Sequence, residues 1–201
     1  MTGLVAVALA FAVVAFSPGP ANLACAAVAM AQGRAAGLRF GLGLSLGLAA
    51  WGVLAAIGLG AVMAASGFVL TALKVVGGLY LLWLAWGSAR SAYTGEGLER
   101  AGRGRGFRSG LLLNLTNPKA VFAWMAALAV GLGEGSGLVS LTAATLMCMA
   151  IGAVNYAAWA LLFSTGSAMA AYRRARRWIE GVAAALFAAT GLGLLRSALA
   201  R

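Results

Sequence analysis

Phe16-Ser17-Pro18-Gly19-Pro20-Ala21-Asn22 cuts across an apolar stretch that runs over residues 4–31 without a charge. Each proline removes a helix donor and clashes with the carbonyl four residues back, so two of them around a glycine must break any helix passing through. The stretch is nevertheless long enough to cross a bilayer, which takes about 20 mostly apolar residues. It therefore reads as one discontinuous transmembrane helix. The pattern returns at Leu113-Asn114-Leu115-Thr116-Asn117-Pro118-Lys119, inside the apolar run 110–132.

Working outward from these breaks, four more runs of similar length emerge, at 40–65, 68–89, 138–163 and 179–195. The expected fold is an all-α integral membrane protein of six transmembrane helices, forming a single domain over 1–201, with helices one and four discontinuous. Composition agrees: 63% of residues are hydrophobic and only 9% charged, where a soluble surface requires roughly a quarter. The N-terminal run lacks a basic leader and its apolar pattern resumes after Pro20, so it reads as a retained helix rather than a signal peptide.

A net charge of +11 raises nucleic acid as a partner. Placement argues against it, because the basic residues sit in short clusters between apolar runs and no aromatic-basic interleaving suits base stacking. Arg34 and Arg39 follow helix one, Arg90, Arg100, Arg103, Arg105 and Arg108 fall around the polar segment 90–108, and Arg173, Arg174, Arg176 and Arg177 precede helix six. Such loops stay inside. Both termini are then periplasmic and the basic loops cytoplasmic in a bacterial inner membrane, with Arg196 and Arg201 on the disfavoured side and Lys74 snorkelling outward.

Because the two broken helices stand first in two sets of three, the chain divides into repeats of about 1–92 and 109–201, with Pro18 laid on Pro118. Three is odd, so the units enter the membrane in opposite directions. Inverted repeats with paired discontinuous helices are a plan of secondary transporters, whose solute site lies where the breaks meet.

The residues expected to line that site are Pro18, Gly19, Pro20 and Asn22 at the first break, Asn114, Asn117, Pro118 and Lys119 at the second, and Asn155 and Tyr156 in helix five. Freed peptide groups at a restarted helix favour an anion such as a substrate carboxylate. A lysine within the membrane is expensive unless it faces protein or water, which makes Lys119 a functional candidate. The alternative for Lys119 is structural, a pairing with freed carbonyls or snorkelling towards the side of Arg108. For the prolines it is a simple kink, and for Asn155 and Tyr156 it is interhelical hydrogen bonding. Gly37, Gly41, Gly43 and Gly47 read as close-packing positions, and the six tryptophans as packing or interfacial residues. No Asp or Glu is expected within the membrane core, and the chain has no histidine. No cofactor or metal is implied, nor catalysis. The glycine-rich faces permit a homo-oligomer without requiring one.

Several stretches together resemble the LysE/RhtB family of amino-acid exporters: SPGPANLACAAVAMAQGRAAGLRFGLGLSLG at 17–47, KVVGGLYLLWLAWGSAR at 74–90, FRSGLLLNLTNPKAVFAW at 107–124 and GVAAALFAATGLGLL at 181–195. The resemblance covers nearly the whole chain in order. It implies a bacterial inner-membrane exporter of amino acids or close relatives, driven by the proton gradient. The positions matching the family's motifs are Pro18, Gly19, Pro20, Asn22, Gly33, Gly37, Gly78, Tyr80, Asn114, Asn117, Pro118 and Lys119. The chain departs from the pattern at the apolar Leu48-Ala49-Ala50-Trp51 and in a short Gly-rich connection after helix four.

Two other classes compete with a small-solute exporter. A transmembrane thiol-disulfide carrier has a similar helix count but needs a cysteine beside each break, where Gly19 and Lys119 stand; Cys25 and Cys148 read as buried hydrophobes. Metal-ion efflux lacks thiolate, imidazole and carboxylate ligands at a usable spacing. A pure scaffold would leave the matched breaks and the lysine unexplained.

Overall fold

The computed structural model describes residues 2–65, 67–94, 106–131 and 138–199. These residues form eight helices and no strand: α1 (Thr2–Phe16), α2 (Pro20–Gln32), α3 (Arg34–Ala65), α4 (Gly67–Thr94), α5 (Gly106–Leu115), α6 (Pro118–Gly131), α7 (Leu138–Leu162) and α8 (Gly166–Leu199). Arg100, Arg103 and Arg105, the connection around Glu134, Ser66 between the second and third runs, and Arg201 lie outside the described residues.

Both anticipated breaks are present. α1 and α2 meet at an angle of 54°, and α5 stops at Leu115 before α6 begins at Pro118. Proline suits the first position of a helix, where its missing N–H is no loss. The restarts therefore correspond as Pro20 with Pro118, two residues away from the alignment of Pro18 on Pro118.

Among the described residues three helices are long and apolar enough to cross a membrane, α3, α7 and α8, and the bent α1–α2 pair makes a fourth. Their outward surfaces are apolar: Leu42, Leu46, Val53 and Ile57 of α3 and Leu146 and Val154 of α7 are exposed. Hydrocarbon tolerates such a surface provided backbone groups are satisfied inside the helices.

Glycines bring the helices close. α3 packs along α5, where a β-carbon on Gly43 would strike the Phe107 carbonyl and one on Gly110 the Phe40 carbonyl. Where α4 crosses α8, a β-carbon on Gly78 would lie 3.0 Å from the Gly191 carbonyl oxygen, and one on Gly191 would lie 2.9 Å from that of Gly78. Small residues at both partners permit this approach. Gly33, with φ of +86°, makes the sharp passage from α2 to α3, a left-handed conformation that favours glycine.

Several boundaries differ from the sequence expectation. α3 starts at Arg34, α4 continues to Thr94, and the basic run is no loop but part of the continuous α8. Alanine and arginine are strong helix formers, and tertiary packing holds the segment on one face. Tyr172 packs edge-on against Trp159 and Phe163, and Arg176 and Glu180, one and two turns further, are also buried, while Arg173, Arg174 and Arg177 are exposed.

Candidate functional site: the junction of the two broken helices

Interrupting a helix strands carbonyls, and in this bundle nearly every one near the first break has a named donor. The Ser17 hydroxyl donates to the Val14 carbonyl at 2.8 Å, the acceptor that Pro18 cannot serve. Asn22 Nδ2 donates to the Ala15 carbonyl at 2.7 Å and the Ser17 carbonyl at 2.9 Å. From the other break comes Lys119, whose Nζ donates to the Ser17 carbonyl at 2.9 Å, the Ser17 hydroxyl at 2.7 Å and the Pro18 carbonyl at 3.4 Å. An ammonium thus closes the carboxyl end of α1, where the helix dipole favours a cation.

The second break is satisfied by different means. Asn117 caps α6, its Oδ1 accepting from the Lys119 amide at 3.1 Å, the usual way an Asn serves an orphan donor. That amide is diverted from the Leu115 carbonyl, which instead accepts from Trp51 Nε1 at 3.2 Å. The Asn117 amide bonds the Asn114 carbonyl at 3.2 Å, replacing the donor missing at Pro118. Trp51 and Trp124, the latter donating from Nε1 to the Leu48 carbonyl at 2.8 Å, therefore tie helices together by hydrogen bonds as well as by packing.

Two separate buried polar links lie behind the breaks, Asn114 with Tyr156 and Asn155 with Asn22. Asn114 Nδ2 donates to the Leu44 carbonyl at 2.6 Å and the Tyr156 hydroxyl at 3.0 Å, and Asn114 Oδ1 accepts from Asn117 Nδ2 at 3.3 Å. Asn155 Nδ2 donates to Asn22 Oδ1 at 2.9 Å, while its own Oδ1 is buried without a partner.

The junction separates two spaces of very different size. A cavity of about 930 Å³ is lined by Pro18, Gly19, Pro20, Asn117, Pro118 and Lys119 together with Tyr80, Trp83, Ser88, Ser91, Ser109 and Glu180. It lies at the end of the bundle where α3 and α5 begin, α4 ends and α8 carries its arginines. A pocket of about 30 Å³ lies on the other side, against Phe11, Val14, Leu48 and Ala123, and shares Gly19, Asn117 and Lys119 with the cavity. Asn22 and Tyr156 line the small pocket; Asn114 and Asn155 line neither space.

Glu180 was not among the expected site residues. It is 4% exposed and lines the cavity. It stands three residues after Arg177, at the start of the sixth apolar run. The stripe Tyr80, Leu84, Gly87, Ser88, Ser91, which puts one face of α4 on the cavity, was legible as helical spacing but not as a lining. The cysteines lie away from the breaks: Cys25 is buried, its thiol facing the Gly37 and Tyr156 carbonyls, and Cys148 is buried and free. Among the described residues no cluster of His, Cys, Asp or Glu could hold a metal ion.

Interrupted helices whose breaks meet at a lysine beside a large open cavity, in a bundle with an apolar exterior, define a multi-pass membrane translocator. The sequence places it more narrowly: the model of the LysE type translocator family matches residues 12–198, and the chain belongs to that family. It is 32% identical to the threonine efflux protein of Escherichia coli K12, over 95% of this chain and 96% of that protein. It is 31% identical to the threonine efflux protein of Salmonella typhi over the same shares. A homoserine/homoserine lactone efflux protein of Salmonella typhi is 35% identical over 43% of this chain and 40% of its own. No solved structure matches the chain.

Proposed function

We propose that the protein exports amino acids or closely related small zwitterions across the bacterial inner membrane by alternating access. Six spans, formed as two inverted three-helix units, would rock about the junction of the broken helices. The relatives' names, threonine efflux protein and homoserine/homoserine lactone efflux protein, support the direction and the substrate class.

The observation that carries the reading is the bond from Lys119 to Ser17. It joins the second unit to the first at the point where a large cavity and a small pocket approach each other. Packing supports the paired units, since α2 lies on α7 as α6 lies on α3, and α3 lies on α5 as α7 lies on α1. The large cavity opens among the basic ends of the helices, the side that positively charged loops assign to the cytoplasm. This arrangement corresponds to a carrier facing inward. A substrate carboxylate entering there meets the Lys119 ammonium and the positive start of α2 at Pro20. Competition for Lys119 between that carboxylate and the Ser17 and Pro18 carbonyls would loosen one unit from the other.

The test is uptake of L-threonine and other amino acids into everted membrane vesicles. Lys119→Ala is expected to abolish uptake while the protein still reaches the membrane. Wild-type vesicles that accumulate no member of an amino-acid panel would refute the proposal.

A further inference from the structure

Glu180 lines the same cavity as Lys119. It comes from α8, the last element of the chain, whereas Lys119 belongs to α6. Carboxylates are almost never fully buried unless paired, and the setting of this one is specific. Ser91 donates its hydroxyl to Glu180 Oε1 at 3.2 Å and accepts from Arg176 Nη2 at 2.6 Å. Ser88 lies alongside. Arg176 is one turn before Glu180 on the same buried face of α8, so a single serine links guanidinium to carboxylate and holds the carboxylate in place. An ionised carboxylate has about four lone-pair sites, and Ser91 with the neighbouring Ser88 occupies part of them, leaving acceptor capacity toward the cavity.

One polar atom beside the cavity is unsatisfied. The Tyr80 hydroxyl is buried with no partner, although Tyr80, 9% exposed, lines the space and its ring is held against Phe122 at 4.0 Å between centroids. Buried polar atoms almost always have partners. A carboxylate held by Ser91 and an ammonium held by Ser17 on the wall of one cavity present poles of both signs to a small molecule.

We propose that Glu180 receives the ammonium group of the transported amino acid, making it the residue that selects for a free α-amine. This rests on the amino-acid export reading above. The carboxylate of the same molecule lies toward Lys119, with hydrogen bonds of about 2.8 Å at each end. Solutes with a carboxylate but no ammonium would leave Glu180 buried against a neutral group, which is costly and so discriminates against them.

The test is counterflow of radiolabelled L-threonine in proteoliposomes, which needs no driving force, with N-acetyl-L-threonine as competitor. Wild-type protein is expected to exchange threonine and to ignore the acetylated compound. Glu180→Gln should raise the half-saturating threonine concentration about tenfold or more and narrow the preference for threonine over N-acetyl-threonine, while Glu180→Asp recovers part of both. If Glu180→Gln fails to insert, Ser91→Ala, which releases the carboxylate without removing it, should show a smaller shift in the same direction. Unchanged half-saturation and unchanged preference in a folded Glu180→Gln protein would overturn the inference and leave the export reading standing. So would lost gradient-driven uptake with intact counterflow, since that marks a role in coupling. Wild-type protein inactive toward every amino acid would instead bring down the export reading itself.

Discussion

The Lys119 ammonium lies against Gly19: a β-carbon on residue 19 would sit 2.9 Å from Nζ and 3.2 Å from Cδ of that lysine. Gly19 has an extended backbone, φ −171°, that any residue can adopt. Glycine is required there for space rather than for conformation, because the lysine must reach across residue 19 to bond Ser17.

Gly19→Ala is therefore expected to leave the fold intact, since the end of a lysine side chain can move aside, while dislodging the ammonium from Ser17. Uptake into everted vesicles should fall about tenfold or more, as expected when the charge-assisted bonds to Ser17 are lost, with little change in melting temperature in detergent because Asn22 still serves the Ser17 carbonyl. Gly43→Ala and Gly110→Ala should behave oppositely. Their β-carbons meet rigid backbone of the neighbouring helix, and size-exclusion profiles should show aggregated or absent protein.

Asn22 and Asn155 couple α2 to α7 through one side-chain bond. Asn22 also holds two carbonyls of the broken α1, so Asn22→Leu should destabilise more than Asn155→Leu. A double-mutant cycle read by denaturation in mixed micelles should give a coupling of about 0.5–3 kcal/mol, as for residues sharing a network. Additive effects would mean that the bond contributes nothing.

Trp51→Phe removes the donor to the Leu115 carbonyl, whose helical partner, the Lys119 amide, is committed to Asn117. An orphaned carbonyl should cost about 1–3 kcal/mol of stability. Trp86→Phe, at a 72% exposed position, serves as the control and should change the melting temperature little.

Cys25 and Cys148 are free and buried. Neither should react with a maleimide in the native protein within minutes, and a Cys25→Ser, Cys148→Ser protein should keep most of its transport. Loss of activity that a reductant mimics in the wild type would revive the thiol-disulfide reading.

The two breaks were legible in the sequence because proline acts locally. Pro18, Pro20 and Pro118 interrupt helices whatever surrounds them. The apolar runs and the glycines of α3 announced a membrane bundle for a similar reason, since hydrocarbon and close approach each restrict residue type along the chain. Even so, the correspondence of Pro20 with Pro118 required the observed helix starts, as two prolines one glycine apart are equally able to break a helix.

Which side chain answers which stranded carbonyl was decided only by the tertiary structure. Lys119 reaches Ser17 across 102 positions of sequence, Trp51 reaches Leu115 across 64, and no local pattern encodes such pairings. Glu180 makes the same point. In sequence it stands three residues after an arginine cluster, with the look of a solvated helix end. Only the packing of α8 against α4 turns it into a buried carboxylate on the cavity wall, because burial depends on what the other helices leave uncovered.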